Sequence, residues 1–365
     1  MKIKDRIENH IVDDMSLKQI KYLKSVAPDK AEGKLADIYQ QVRRDFQLVP
    51  PITLFSPDVE LLTGLWAISR ESQIASGVVS RQDKEAIAAA VSSINTCSYC
   101  VDAHVGMLHG VAGHDVANAI LEGNTDTVAD PHTTMLIEWA LASKTPQSKL
   151  LANPAFSSKQ APEIIGTALG YHFINRMVSI FLSSSPLPVN TKSRAMRKMA
   201  TRIFGATAGK SIANKQVDAG ESLAFLAEAD LPEKFAWSKA SPHISKAFAG
   251  FSVAMDAAGK KHVPNEVSYL LQTHLSQWHG EDMGLSRQWL EDVINSLDDH
   301  YKNIARLVFL TAFTPYQVDE SIILAFRKQN PFDNELLAVT CWASYAAMCR
   351  ISEWIYPVSI GEQND

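Results

Sequence analysis

Apolar residues recur at three- and four-residue spacing along most of the chain, while strand-like alternation bounded by turn residues is scarce. The clearest stretches are LADIYQQVRRDF (35–46), ELLTGLWAISRESQIA (60–75), DKEAIAAAVSSI (83–94), MLIEWALA (135–142) and EIIGTALGYHFINRMVSIFL (163–182). Each predicts a helix with one buried face, and alanine-rich runs such as AIAAAV add helix propensity and permit close approach between helices. The pattern as a whole predicts an all-α protein.

The same pattern returns in the second half. WALASKTPQS (139–148) resembles FLTAFTPYQVDE (309–320), PEIIGTALGYHFINRMVSIF (162–181) resembles NELLAVTCWASYAAMCRISEWI (334–355), and VSRQDKEAIAAAVSS (79–93) can be matched to VPNEVSYLLQTHLS (263–276). Because the matches keep their order, they predict an internal duplication, although helical spacing shared by unrelated segments also produces such matches. Between the halves, SSSPLPVNTKS (183–193) has the composition of a connector. The predicted organisation is a first helical domain over 1–185, a connector over 186–246 and a degenerate repeat over 247–365. In this register Glu85 corresponds to Glu266, and Trp278, Glu281 and Leu285 stand near the places of Cys97, Cys100 and His104. The second copy then keeps the helical scaffold and lacks the thiols.

Composition narrows the class. With 365 residues, 46% hydrophobic and 21% charged, the chain is long enough for two cores and is not of disordered type. A net charge of -5 supplies no basic footprint for nucleic acid. The basic run KSRAMRKMATR (192–202) reads as a solvated helix face. The N-terminus MKIKDRIENHIVDDMSLKQ lacks the apolar run of a secretory signal, and no stretch of uninterrupted apolar residues is long enough to span a membrane. These features predict a cytoplasmic protein with neither a nucleic-acid nor a membrane partner. In a reducing compartment, four cysteines make no disulfide framework, and a close pair points to catalysis or metal binding.

That pair is Cys97 and Cys100, in Asn-Thr-Cys-Ser-Tyr-Cys-Val-Asp-Ala-His. With Asn95 or Thr96 as the helix N-cap, Cys97 falls in the first turn, and positions 97, 100 and 104 share one face. A helix N-terminus and a nearby imidazole favour thiolate, and the pair can close to a disulfide. Glu85 lies on the preceding helix, and a turn at 92–95 folds it back beside the dithiol, where carboxylate and His104 can relay a thiol proton. Two other readings stay open at this point. Cys97, Cys100, His104 and His109 could be zinc ligands, though His109 lies on another helix face; or the thiols could be inert core residues, with Glu85 a solvated surface acid.

Glu85, eleven intervening residues, Cys97-Ser-Tyr-Cys100, three residues and His104 together resemble the core signature of the AhpD-like alkylhydroperoxidases of the carboxymuconolactone decarboxylase superfamily. The resemblance covers residues 35 to 182 and includes Tyr171, Asn175 and Arg176 of the closing helix. It implies an all-helical AhpD-like fold and a thiol-dependent hydroperoxide reductase or disulfide oxidoreductase. Cys100 would attack the peroxide, Cys97 would resolve the sulfenic acid, and Glu85 with His104 would relay protons. The resemblance implies no bound cofactor, an external dithiol reductant such as a lipoyl group, and a lipoylated protein or a peroxiredoxin as partner. Helix-end electrostatics point instead to Cys97 as the more acidic thiol. Where some members carry histidine before the second cysteine, this chain has Tyr99.

Single-copy relatives form homo-oligomers, so the second copy is expected either to take the place of a partner subunit, giving an intrachain pseudo-dimer, or to leave a homo-oligomer. The alternative function is a non-turnover redox sensor or partner-binding protein with a vestigial dithiol; decarboxylase or lactone chemistry is a third. Cys341 and Cys349 read as core residues, His109 and His114 as surface or packing residues, and Trp66, Trp139, Trp278 and Trp342 as core anchors. Gly205-Ala-Thr-Ala-Gly209-Lys210-Ser211 is one residue short of a phosphate-binding loop and reads as a connector.

Overall fold

The computed structural model describes residues 17–111, 113–186 and 215–355. Most of the N-terminal stretch, the basic run at 192–202 and the Gly205–Ser211 motif lie outside the described residues. Among the described residues there is no β-strand, and no helix is long and apolar enough to cross a membrane.

The first half contributes α1 (Gly33–Asp45), α2 (Val59–Ser69), α3 (Arg81–Ile94), α4 (Ser98–Gly110), α5 (His114–Glu122), α6 (Pro131–Ala142) and α7 (Ala161–Phe181). Their starts follow capping chemistry: Asp58, Ser80 and Asp130 each turn a side-chain oxygen onto backbone N–H groups of the first turn. The second half contributes α8 (Pro242–His262), α9 (Asn265–Gln277), α10 (Gln288–Ile294), α11 (Asp299–Phe313), α12 (Glu320–Arg327) and α13 (Asp333–Ile355). Helix α8 begins before residue 247, so the connector predicted over 186–246 gives up its last residues to that helix.

Packing partners repeat between the halves. Helix α3 lies against α6 and α7, and its matched segment α9 lies against the corresponding α11 and α13. The halves meet like against like, α2 on α8 and α7 on α13, which is the geometry of an isologous interface. Gly64 allows the first crossing: a Cβ there would stand 3.2 Å from the Phe251 backbone. At the centre, Phe173 of α7 and Phe251 of α8 pack edge to face with centroids 5.1 Å apart. Trp66, Trp139, Trp278 and Trp342 are all buried, as core anchors should be.

One expectation about the second copy fails. Trp278, Glu281 and Leu285 do not occupy a counterpart of α4, because the chain between α9 and α10 is not helical. Gly280 and Gly284 both take positive φ, 90° and 74°, and Leu285 is 92% exposed. Instead of a thiol-bearing helix, the loop presses Gly280 against the Lys144 carbonyl, an approach with no room for a Cβ.

Beyond α2 the chain makes one wider π-helical turn, Arg70–Ile74. Its residues point to two places. Gln73 faces the dithiol region, whereas Arg70 and Glu71 enter a buried ion network. Arg70 Nε donates to Asp45 (2.8 Å), and Glu71 accepts from Arg70 Nη1 (2.7 Å), the Gly220 N–H (2.6 Å) and the Ser222 hydroxyl (2.6 Å). This network fastens the segment after residue 215 onto the first half. Burial would raise the Glu71 carboxyl, but hydrogen bonds from His243, Ser222, Gly220 and Arg70 outweigh it and hold it at about 2.

A depressed carboxyl stabilises the fold above its unfolded value and loses that effect as pH falls toward the folded value. Glu71→Gln should therefore cost about 3 kcal/mol in urea unfolding at pH 7, as for breaking a buried pair. The gap to the native chain should narrow progressively below about pH 4.5; equal losses at all pH values would show that Glu71 does not act as a carboxylate.

Candidate active site

Helices α3, α4 and α7 converge on the dithiol. Asn95 ends α3 and Thr96 reverses the chain with φ 53°, so Cys97 itself is the N-cap residue of α4. This replaces the predicted cap at Asn95 or Thr96. Both residues are needed for the reversal, and the Asn95 side chain reaches across to α7 instead of back to its own helix. Cys97 and Cys100 are 2% and 4% exposed. Around them, Ser98 Oγ donates to the Ser184 carbonyl, Ser185 Oγ to Asp102 and Tyr99 OH to Gln19, so segments from both ends of the first half overlie the first turn of α4.

Glu85 is fully buried and is no surface acid. His104 Nδ1 lies 2.6 Å from its Oε2, and Arg81 Nε donates to its Oε1 at 2.8 Å. Gln73 completes the shell at 3.5 Å and accepts from the Tyr171 hydroxyl at 2.8 Å. Burial would push the Glu85 carboxyl up, but Arg81 and His104 outweigh it and hold it below the usual carboxylate range. A carboxylate at Nδ1 fixes the proton on that nitrogen and leaves the Nε2 lone pair to accept another. Cys100 precedes His104 by one helical turn, on the same face of α4. The pair is thus built to take a proton.

The two sulfurs differ. Burial raises Cys97, yet hydrogen bonds from the Cys100 side chain and backbone, from Ser179 and from Asn175 outweigh it and leave this thiol below its ordinary value. Burial, then the hydrogen bond to Cys97 and the charge on that sulfur, push Cys100 well up. Of the two, Cys97 is the more acidic thiol, with Cys100 as its hydrogen-bond donor.

Of the four predicted residues, Glu85 pairs with His104 and Cys97 with Cys100, and the two pairs lie one turn of α4 apart. His109 does not join them. Its Nδ1 pairs with that of His114 at 2.9 Å, and among the described residues no three His, Cys, Asp or Glu side chains form a metal-binding group. Cys341 and Cys349 are buried in α13; burial pushes the first well up and the second to about 11. Sequence reasoning missed Arg81, although its position four residues before Glu85 on one helix was a usable signal. It also missed Gln73, Ser92, His172 and Ser179, whose roles depend on long-range packing.

The carboxymuconolactone decarboxylase family matches residues 61–138, which run from α2 through the dithiol helix to α6. A protein named alkyl hydroperoxide reductase from Mycobacterium tuberculosis is 33% identical over 348 residues, covering 95% of this chain and 98% of its own length. The chain belongs to the carboxymuconolactone decarboxylase family. Similarity to this relative extends through both halves, including the half without the C-x-x-C pair.

The different surroundings of the four thiols give a simple expectation. Mild oxidation with diamide should link Cys97 to Cys100 and leave Cys341 and Cys349 reduced, since those two stand eight helical steps, about 12 Å, apart. Peptide mapping by mass spectrometry reads the outcome; oxidation of Cys341 or Cys349 ahead of the pair would contradict it.

Proposed function

We propose that the protein is a dithiol hydroperoxide reductase of the AhpD-like kind, acting through Cys97, Cys100, His104 and Glu85. The observation that carries this reading is a buried carboxylate–imidazole pair beside two adjacent, unequally acidic thiols. The name of the mycobacterial relative supports it, as a protein of nearly the same length called an alkyl hydroperoxide reductase.

In the reaction a thiolate attacks the outer peroxide oxygen and the O–O bond breaks. The departing alkoxide takes a proton and leaves as alcohol, and the attacking sulfur becomes a sulfenic acid. The second sulfur then attacks the first, releasing water and closing the disulfide, which an external dithiol such as a lipoyl group reopens by exchange. A lipoylated protein or a peroxiredoxin is the corresponding partner class. No resident cofactor has a step in this scheme.

The family resemblance places the attack on Cys100, which requires His104 to remove that proton first. Hydrogen bonding around the sulfurs favours the reverse order, because it lowers Cys97 from its ordinary value while Cys100 is pushed up, so Cys97 gives up its proton more readily. We take Cys97 as the attacking thiolate and Cys100 as the resolving thiol, whose proton passes to His104 while Glu85 stabilises the imidazolium.

Dihydrolipoamide-dependent consumption of an organic hydroperoxide should be lost in both Cys97→Ser and Cys100→Ser and lowered about 100-fold or more in Glu85→Gln. In Cys100→Ser, a sulfenic acid trapped by dimedone should sit on Cys97; trapping on Cys100 in Cys97→Ser, with none in Cys100→Ser, would restore the family order. Absence of turnover with both thiols demonstrably reduced would sink the peroxidase reading and leave a sensing or binding role.

A further inference from the structure

Helix α13 repeats the Tyr-x-x-x-x-Arg spacing of α7, with Tyr345 and Arg350 in the places of Tyr171 and Arg176. In the first half α4 covers that tyrosine: the His104 ring meets the Tyr171 ring edge to face, with centroids 4.6 Å apart. The second half has a loop in place of α4, so no such ring covers Tyr345. What lies beside it is a cavity of about 150 Å³ between α8, α9 and α13. Trp342, Tyr345, Cys349 and Glu353 form its α13 wall at helical spacing. The ammonium of Lys234, from the short turn Glu233–Ser238, stands over the Tyr345 ring, 4.9 Å from its centroid.

The polar groups of this cavity are unevenly satisfied. Arg350 is spent, since Nε and Nη2 donate to the Trp278 and Ser276 carbonyls at 3.2 and 2.9 Å and Nη1 donates to Glu353 at 2.6 Å. Lys234 and Asp256 of α8 both line the cavity, yet among the described residues neither forms an ion pair, with the other or with any third group. Tyr345 is 2% exposed, and no hydrogen bond of good geometry reaches its hydroxyl. Ser252 and Cys349 stand beside that hydroxyl, but Ser252 spends its own hydrogen on the Phe248 carbonyl at 2.8 Å. A buried hydroxyl left in this state costs free energy that a bound acceptor recovers. Burial keeps Cys349 protonated, so it is a wall of the cavity and not a reactant.

We propose that this cavity binds a small zwitterion of the α-amino acid kind, its carboxylate accepting from Lys234 and the Tyr345 hydroxyl and its ammonium donating to Asp256. A ligand with both charges matches Lys234 and Asp256 together, whereas a simple anion leaves Asp256 unmatched. The second half thus keeps a binding site at the tyrosine that α4 covers in the first half, and the inference does not depend on the peroxidase reading.

Calorimetric titration of the full-length protein tests this, with L-alanine as the probe and acetate and ethylammonium as its two halves. L-alanine should bind, and each half should bind at least about tenfold more weakly. Asp256 is exposed and Lys234 half-buried, so Lys234→Met and Asp256→Asn should fold, and each should weaken L-alanine binding about tenfold or more. Tyr345→Phe should weaken it roughly threefold to tenfold and leave the melting temperature unchanged or higher, because it removes a buried hydroxyl that has no partner. The proposal is overturned by no heat with L-alanine at millimolar concentration, by acetate binding as tightly as L-alanine, or by binding indifferent to Lys234→Met and Asp256→Asn. A lowered melting temperature in Tyr345→Phe would show that hydroxyl already paired and overturn its place in the site.

Discussion

A carboxylate with no solvent contact sets the terms for this site. Removing Glu85 from water is costly unless its charge is matched, and the structure matches it with Arg81 from the preceding turn and His104 from the neighbouring helix. That requirement brings α3 and α4 together at a definite register, and in doing so places Cys100 one turn from the imidazole that Glu85 orients. Gln73 reaches the same carboxylate from the π-helical turn after α2, and Tyr171 reaches Gln73 from α7. Four helical segments are therefore arranged around one negative charge. The dithiol is adjacent to it, sealed from bulk water, where hydrogen bonds count for more than at a surface.

The second half gives that arrangement a rigid back. Its helices meet the first half like against like, in the manner of a two-fold dimer, but both partners are on one chain. The two halves differ at the reactive helix and agree at the interface. The structure fits this division: a loop with two positive-φ glycines stands where the first half has α4, whereas α13 still covers α7 through Phe173, Ser344 and neighbouring contacts. Similarity to the mycobacterial relative runs over nearly the whole of both chains, the second half included.

Much of the fold was legible because helical periodicity and capping are local. The stretch 35–46 became α1, 83–94 lies within α3, and 163–182 became α7 with an offset of two residues at its start and one at its end. The signature residues were legible because their separations on α3 and α4 translate directly into shared faces. Less was visible where a side chain leaves its own helix. Asn95 looked like a cap and is a cross-helix clamp; Gln73 looked like part of a continuous helix and sits on a π-turn. The second-half loop was misread because segment order suggested a scaffold that Gly280 and Gly284 interrupt. Helix-end electrostatics pointed to Cys97 as the more acidic thiol; the donors that lower it are first the side chain and backbone of Cys100, one turn on, and then Ser179 and Asn175 from a helix some eighty residues away.

In the proposed reaction the two thiols transfer electrons to a hydroperoxide as a unit. It is tested most directly in a single turnover: the fully reduced protein is mixed with one equivalent of cumene hydroperoxide, then acid-quenched and analysed for product alcohol and by peptide mapping. One alcohol is expected for each Cys97–Cys100 disulfide formed, with Cys341 and Cys349 still reduced. Peroxide left unconsumed, or alcohol formed while Cys97 and Cys100 both remain thiols, would contradict it.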